Sequence, residues 1–329
     1  MKCMVLAMCF ALSLVLDAAG PSADEMALYN AREHGALARE CLRVVDQDGF
    51  PVADAKVWGG LQTGGNRNDF TPIRGMTDTN GECVIQGKCT NRIRCDITKN
   101  GYYRSELLLE NYGYRHDLEK GKWMPYGEKR TVVLKKIKNP CKLLAFPASL
   151  RWCRIPEFNK WLGFDFECCE WIAPHGKGRC ADVLLRFSAM KNGLHDYKYV
   201  MDVSFTNNPY AGAYQMKADK SSDLTTTYDA DSNATYKAEF SYVLEQTPGN
   251  RRYWNFLDTD SYLVFRTRTR VDKDNNLVGA HYGNIHGPWR SGTEAMFLSG
   301  GCFNPVENDV NIEDGTVLRT VLKNMDRGK

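Results

Sequence analysis

The segment from Leu42 to Tyr103 constrains the fold of this chain most strongly. It alternates short runs of β-favouring residues with turns at Asp46-Gln-Asp-Gly49 and Asp78-Thr-Asn-Gly81. Asp, Asn and Gly tolerate the positive φ that a chain needs where it reverses direction. In Ile93-Arg-Cys-Asp-Ile97 apolar and polar residues alternate, which is typical of a strand with one buried face. The segment therefore predicts a small antiparallel β-sandwich.

Three motifs in this segment resemble the carboxypeptidase regulatory-like, or transthyretin-like, domain family. They are Gly49-Phe-Pro-Val-Ala-Asp-Ala-Lys-Val57, Thr77-Asp-Thr-Asn-Gly81 and Lys99-Asn-Gly-Tyr-Tyr103. The resemblance implies a seven-stranded β-sandwich that serves as an accessory domain in exported proteins, and it transfers no catalytic residue. This chain departs from the family in an insertion at residues 59–74 and in its additional cysteines.

The second half of the chain also shows the two-residue periodicity of strands. Its apolar side chains recur at every second position in four runs: Val183/Leu185/Phe187, Tyr199/Met201/Val203/Phe205, Tyr236/Ala238/Phe240/Tyr242 and Leu263/Phe265/Thr267/Thr269/Val271. We expect an antiparallel meander or jelly-roll-like sandwich here. The stretch from Gly163 to Gly178 resembles a block of uncharacterised exported bacterial proteins that carry the same accessory module. That resemblance implies no activity.

The domain organisation follows from these patterns and from the first residues. Lys2, the apolar run Val5 to Leu16 and the small residues that follow have the layout of a secretory signal peptide, which we assign to residues 1–22. Residues 23–40 are predicted to form a short helix that begins with a capping box at Ser22 and Glu25. The first sandwich is assigned to residues 41–137 and the second β-rich domain to residues 141–325. A charged linker ending at Pro140 separates them.

The predicted signal peptide indicates an exported protein, whether periplasmic, displayed on the cell surface or secreted. No later segment is long and apolar enough to predict a transmembrane span. The formal net charge of +3 is too small to indicate nucleic-acid binding. No cofactor is predicted.

The cysteines agree with export. The chain has 12 cysteines, and Cys3 and Cys9 would leave with the signal peptide. The others are candidates for disulfides within each domain, because each group has an even number. The first group is Cys41, Cys83, Cys89 and Cys95, and the second is Cys141, Cys153, Cys168, Cys169, Cys180 and Cys302. The alternative is that several are buried thiols.

Two sets of residues are candidates for ligand binding. Arg266, Arg268 and Arg270 would project from one face of a strand, spaced to meet the anionic groups of a linear ligand. The alternative is that they pair with carboxylates on neighbouring strands. Trp254 and Trp289, together with Tyr253, are candidates for a sugar-stacking platform, although aromatic residues more often pack in a core.

The catalytic candidates have weaker support. His281 and His286 lack a nearby third ligand with recognisable spacing for a metal site. Cys168 and Cys169 precede His175 but lack the context of an activated nucleophile. We assign no catalytic or metal-binding residue from the sequence.

The sequence therefore favours an exported, non-catalytic binding or surface-assembly protein, with a polysaccharide or other envelope proteins as its partner. The first alternative is a hydrolase of envelope or extracellular glycans, with its site in the second domain around Asp165, Glu167, His281 and His286. The second alternative is a structural component of an envelope complex. A cleft with two close carboxylates would favour the enzyme, and a flat charged or aromatic face would favour binding.

Overall fold

The computed structural model describes residues 20–64, 66, 69–138, 143–146, 148–205, 209–313 and 320–321. Nearly all of the predicted signal peptide lies outside these ranges, as do Cys141, residues 139 and 140 of the predicted linker, and most of the chain after residue 313. Strands account for 53% and helices for 7%, so the prediction of a mainly β protein is confirmed. Within the described part of the chain, every helix is too short or too polar to cross a membrane.

The first helix, α1 (Ala23–His34), begins with the predicted capping box. The Ser22 hydroxyl accepts a hydrogen bond from the Glu25 amide at 3.2 Å, and the Glu25 carboxylate accepts one from the Ser22 amide at 2.7 Å. The helix ends at Gly35, where φ is 82°. The prediction that the helix continues to residue 40 is wrong. Residues 36–40 instead begin the first strand, because their backbone groups pair with another strand.

Nine strands and a short helix follow in the first half of the chain. They are β1 (Ala36–Asp46), β2 (Lys56–Gln62), β3 (Phe70–Met76), β4 (Glu82–Cys89), β5 (Ile93–Thr98), β6 (Ser105–Leu109), α2 (Tyr112–Arg115), β7 (Asp117–Glu119), β8 (Lys122–Met124) and β9 (Glu128–Leu134).

The strands of the first half form two sheets around one core. The five-stranded sheet has the order β4-β1-β8-β7, with β9 parallel to β1, and the four-stranded sheet has the order β3-β2-β5-β6. Strands β1 to β6 and β9 supply the seven strands expected of the sandwich, and β7 and β8 add a short antiparallel hairpin. Buried apolar side chains from both sheets, including Val44, Val57, Ile85 and Ile97, fill the space between them.

The two predicted turns of the first half are confirmed. The Asp46 carboxylate accepts two backbone amides of its own turn, both at 3.0 Å, and Gly49 takes a φ of 85°. Asp78 accepts two amides at 2.9 and 2.8 Å, and Gly81 takes a φ of 73°. In each turn the aspartate side chain thus accepts hydrogen bonds from amides that do not pair with a neighbouring strand.

The second half of the described chain contains thirteen strands and one 3₁₀ helix. They are β10 (Leu144–Ala145), the 3₁₀ helix (Ala148–Trp152), β11 (Cys153–Arg154), β12 (Trp161–Asp165), β13 (Glu170–Trp171), β14 (Val183–Gly193), β15 (Asp196–Ser204), β16 (Gly212–Lys217), β17 (Glu239–Gln246), β18 (Tyr253–Trp254), β19 (Ser261–Val271), β20 (Leu277–Ser291), β21 (Ala295–Phe303) and β22 (Thr320–Val321).

These strands form a second, larger sandwich. The seven-stranded sheet has the order β16-β19-β20-β21-β10-β22, with β11 paired to β21, and the six-stranded sheet has the order β13-β12-β14-β15-β17-β18. Phe164 and Phe187 of the six-stranded sheet pack in one core with Phe265 and Phe303 of the other sheet. A smaller apolar cluster that includes Tyr262 and Tyr282 packs elsewhere against β19 and β20.

The two halves contact each other along β6 and the segment after β16. Arg104 pairs with Asp223 at 2.9 Å, and Lys135 pairs with Asp219 at 2.7 Å. The Tyr103 hydroxyl donates to the Glu313 carboxylate at 2.8 Å. Polar and charged groups therefore dominate these contacts.

Candidate functional site

The predicted arginine stripe is broken by a bulge in β19. Thr267 pairs with His281 and Arg270 pairs with Gly279, so two residues of β19 lie opposite one residue of β20. Arg268 takes a φ of 49° within this bulge. A bulge of this kind turns a side chain away from the alternation of its strand. The expectation that the three arginines share one face is therefore wrong.

Each arginine of the stripe has a different environment. The Arg266 guanidinium lies 4.0 Å from the ring centre of Tyr236, and its Nε donates to the Tyr210 carbonyl at 2.9 Å. Arg270 is exposed and pairs with Glu307 at 2.7 Å. The Arg268 side chain instead points toward a group of carboxylates on the other side of the core, where the six-stranded sheet lies. Arg268 and Arg270 therefore pair with carboxylates, as the alternative expected, whereas Arg266 does not.

Arg268 joins the two sheets of the second sandwich. Its Nε donates to Asp182 at 2.8 Å, its Nη2 donates to Asp165 at 3.0 Å, and its Nη1 pairs with Glu167. Burial raises the pKa of Asp165, but the Arg179 and Cys180 backbone amides and further contacts outweigh it and leave the pKa below its ordinary value. Burial raises the pKa of Asp182.

The carboxylates around Arg268 do not form a substrate cleft. Asp165 and Asp182 are buried, and every oxygen of the two carboxylates already accepts hydrogen bonds from the protein. A catalytic acid or base must reach a proton of its substrate. We therefore interpret this group as a link between the sheets.

The histidines of the hydrolase alternative are not brought together. The His281 ring stacks on Phe303 with ring centres 5.5 Å apart, and Phe303 belongs to the main core. His286 packs on Tyr262 at 5.9 Å, and Tyr262 belongs to the smaller cluster. The two imidazoles therefore lie against different cores.

One group in the first sandwich has the composition of a metal site. The ligand atoms of Glu40, His116 and Glu128 lie within 4.8 Å of one another. The Arg130 guanidinium already pairs with both glutamates, at 3.0 Å in the case of Glu40. The Tyr112 hydroxyl also donates to Glu40 at 2.6 Å. A metal ion would have to displace Arg130, so we interpret the group as a partly buried ion-pair cluster.

The two tryptophans of the predicted platform differ in burial. Trp289 is fully buried, and its indole lies 3.3 Å from the Met296 sulfur. Trp254 is 52% exposed, and its ring lies 6.4 Å from that of Phe256. Trp289 is therefore a core residue, and Trp254 remains a surface candidate.

Trp254 lies at one end of a band of aromatic side chains around Arg290. We call this band the Arg290 groove, and its members are Trp152, Phe297, Arg290, Phe256 and Trp254. Trp152 is 72% exposed and its ring lies 4.3 Å from that of Phe297. The Arg290 guanidinium carbon lies 4.4 Å from the ring centre of Phe297 and 5.7 Å from that of Phe256.

The folding of the second sandwich brings these residues together. Arg290 and Phe297 are paired across β20 and β21. Trp152 ends the 3₁₀ helix, and Trp254 lies on the edge strand β18 of the other sheet. A backbone bridge between Leu257 and Trp289 holds the segment that carries Phe256 against β20. The groove therefore lies where the two sheets meet.

Among the described residues, Arg290 has no acidic partner, whereas Arg268 and Arg270 each pair with at least one carboxylate. In the part of the chain that the structure describes, no carboxylate lies within ion-pair distance of Arg290 and no hydrogen bond involves its side chain. Burial lowers the pKa of Arg290, and the nearby charge of Arg252 lowers it further. The cation is held by the two flanking ring faces, an interaction that contributes about 0.5–2 kcal/mol.

The space beside the guanidinium is too small to hold a water molecule. Its lining includes Tyr199, Tyr242, Phe256, Arg290 and Ser291. Tyr242 is 6% exposed, and its hydroxyl has no hydrogen-bond partner among the described residues. Burial raises the pKa of this phenol, so it stays a neutral donor. A buried unsatisfied hydroxyl costs about 1–3 kcal/mol.

The sequence analysis missed most of this groove. Trp152, Phe256 and Phe297 lie far apart in the chain, and no local spacing connects them. The one available signal is the adjacency of Arg290 to Trp289, which places a cation beside a core aromatic residue at the end of a long strand.

The nine described cysteines carry free thiols in the structure. Burial raises the pKa of Cys89 and of Cys95 to about 12. Pairing in an oxidising compartment stays a prediction.

Comparisons with known proteins give only distant similarities. No family model and no curated protein matches this chain. The crystal structure of 3-chlorocatechol 1,2-dioxygenase from Rhodococcus opacus 1CP is 15% identical, covers 32% of this chain and 62% of its own, and has a TM-score of 0.25.

Two other solved structures match over more of the chain. A proposed carbohydrate binding protein from Bacteroides uniformis ATCC 8492 is 9% identical over 83% of this chain and 98% of that chain, with a TM-score of 0.18. BcpA, the major pilin subunit of Bacillus cereus, is 11% identical over 87% of this chain and 98% of that chain, with a TM-score of 0.21. At these TM-scores the similarities support no inference about function.

Proposed function

We propose that this protein is an exported, non-catalytic binding protein that holds a polysaccharide on the Arg290 groove. The observation that carries the proposal is the pair of exposed tryptophans, Trp152 and Trp254, at the two ends of one aromatic band. Aromatic rings with one exposed face offer the flat apolar surface on which the C–H face of a sugar ring packs. The space beside Arg290 is small, so the ligand would lie on the surface.

Export and the accessory role of the first sandwich are parts of the same proposal. The signal-peptide pattern of Lys2 and residues 5–16 supports export. The motifs between Gly49 and Tyr103 support an accessory sandwich that resembles the carboxypeptidase regulatory-like family. On this proposal the first sandwich positions the second, and the second carries the ligand.

The test is polysaccharide binding by single-tryptophan variants. A panel of immobilised neutral and acidic polysaccharides is incubated with the purified full chain, and affinities are measured by biolayer interferometry. We expect Trp152→Ala and Trp254→Ala each to weaken binding about tenfold, because stacking of an aromatic pair contributes about 0.5–1.5 kcal/mol beyond the area that it buries. Unchanged affinity in both variants would contradict the proposal.

Trp58→Ala is the matched control. Trp58 lies on β2 of the first sandwich and is 52% exposed, the same fraction as Trp254. Its removal changes the exposed aromatic surface equally but leaves the Arg290 groove intact. We expect it to bind like the unmodified protein. If all three variants lose binding equally, the groove has no special role.

A further inference from the structure

We infer that the polysaccharide held on the Arg290 groove is acidic, and that one of its carboxylate or sulfate groups pairs with Arg290. The inference rests on the proposed function, because it names the ligand class of the same groove.

The first step concerns the charge of Arg290. Its guanidinium is half-buried between Phe256 and Phe297, and no carboxylate among the described residues pairs with it. Arg266 packs on Tyr236 and has no carboxylate partner either, but it donates to the Tyr210 carbonyl. Two other ring-packed arginines of the second sandwich have carboxylate partners. Arg186 lies 4.8 Å from the ring centre of Trp161 and also pairs with Asp202 at 2.9 Å. Arg268 packs on Phe303 and pairs with three carboxylates.

The second step concerns the geometry around that charge. Phe256 and Phe297 flank the guanidinium, and their contacts keep its planar N–H donors in one orientation. The same group on an unrestrained side chain would rotate. A carboxylate or sulfate accepts two parallel N–H donors from such a plane. Arg252 lies near enough for its charge to act on Arg290, so the local field also favours an anion.

The third step concerns access to the guanidinium. The space between Arg290 and the buried Tyr242 is too small to hold a water molecule, so an anionic group would approach Arg290 from the solvent side. The exposed rings of Trp152 and Trp254 at the ends of the groove would pack on the sugars that carry this group.

The experiment uses polysaccharides that differ only in charge. Polygalacturonate is compared with its methyl ester, which removes the carboxylate charge from the same backbone, and dextran sulfate is compared with dextran. We expect one acidic polymer to bind at least about tenfold more tightly than its neutral partner, a difference of about 1.4 kcal/mol. The polymer pair that shows the difference identifies carboxylate or sulfate as the group.

Variants then assign the preference to the groove. Arg290→Gln should remove the difference between acidic and neutral polymer. Arg186→Gln is the matched control, since it removes a ring-stacked arginine that already has a carboxylate partner. It should keep the charge preference.

The outcomes separate the two proposals. Tryptophan-dependent binding that ignores charge, or a charge preference that survives Arg290→Gln, overturns this inference and leaves the polysaccharide-binding function standing. Absence of binding to every polymer overturns both.

Discussion

The Nε atom of Arg268 lies 2.8 Å from Oδ1 of Asp182, and this pair connects the two sheets of the second sandwich. Arg268 belongs to β19 of the seven-stranded sheet, and Asp182 immediately precedes β14 of the six-stranded sheet. Asp182 is fully buried and the Arg268 side chain is 19% exposed. The bulge of β19 turns Arg268 toward Asp182 in the core. The predicted arginine stripe therefore does not form.

Replacement of Arg268 should strongly destabilise the second sandwich. Arg268→Gln leaves the buried carboxylates of Asp165 and Asp182 without their cation, and removing one partner of a buried pair costs about 3–5 kcal/mol. Urea denaturation followed by tryptophan fluorescence measures the change. Arg270→Gln is the control, because its pair with Glu307 is exposed and should contribute about 0.5 kcal/mol or less. Equal effects of the two changes would contradict the link between the sheets.

Replacing Trp289 should destabilise the protein far more than replacing Trp254. Trp289→Ala removes a fully buried side chain, and such changes cost about 3–5 kcal/mol. Trp254→Ala alters an exposed side chain and should change the free energy of unfolding by about 0.5 kcal/mol or less. Thermal unfolding of both variants measures this. A large loss of stability in Trp254→Ala would show that it is part of the core.

The pair between Lys136 and Asp46 predicts a pH window of stability. The Lys136 amine lies 2.6 Å from the Asp46 carboxylate, and this hydrogen bond lowers the pKa of Asp46 and raises that of Lys136. A lowered acid pKa stabilises the fold above the ordinary value of 3.8, and this contribution is lost as the pH falls through the folded pKa. A raised lysine pKa stabilises the fold below 10.5, and this contribution is lost as the pH rises through the folded pKa.

Lys136→Gln should therefore lower the melting temperature between about pH 4 and pH 10, where both groups are charged. The difference from the unmodified protein should shrink on either side of that window. Lys273→Gln, which changes an exposed lysine of a turn, is the control and should show no such pH dependence. A constant difference from pH 3 to pH 11 would show that the pair is not the cause.

The cysteines give a fourth prediction. If the protein is exported, its cysteines meet an oxidising environment, and we expect some of the ten that follow the predicted signal peptide to be paired. Thiol counting under denaturing, non-reducing conditions measures this on protein isolated from its natural compartment. Ten free thiols would contradict the prediction. In the reduced native protein, Cys89 and Cys95 should react slowly at pH 8, because burial raises the pKa of each to about 12.

Local patterns in the sequence determined the fold class, the capping box at Ser22 and the turns at Asp46 and Asp78. Each depends on residues within a few positions of one another, so the sequence alone carries the physical cause. The same reasoning extended the first helix to residue 40, where pairing of β1 with β4 overrides the helical composition.

Only the tertiary structure decided the candidate site. One bulge turned Arg268 inward, burial separated Trp289 from Trp254, and folding placed Trp152, Phe256 and Phe297 around Arg290. These relations join residues that are distant in the chain and depend on strand register and sheet packing. A two-residue period gives the face of a side chain only while the register is regular, and it carries no information about what the opposite sheet presents.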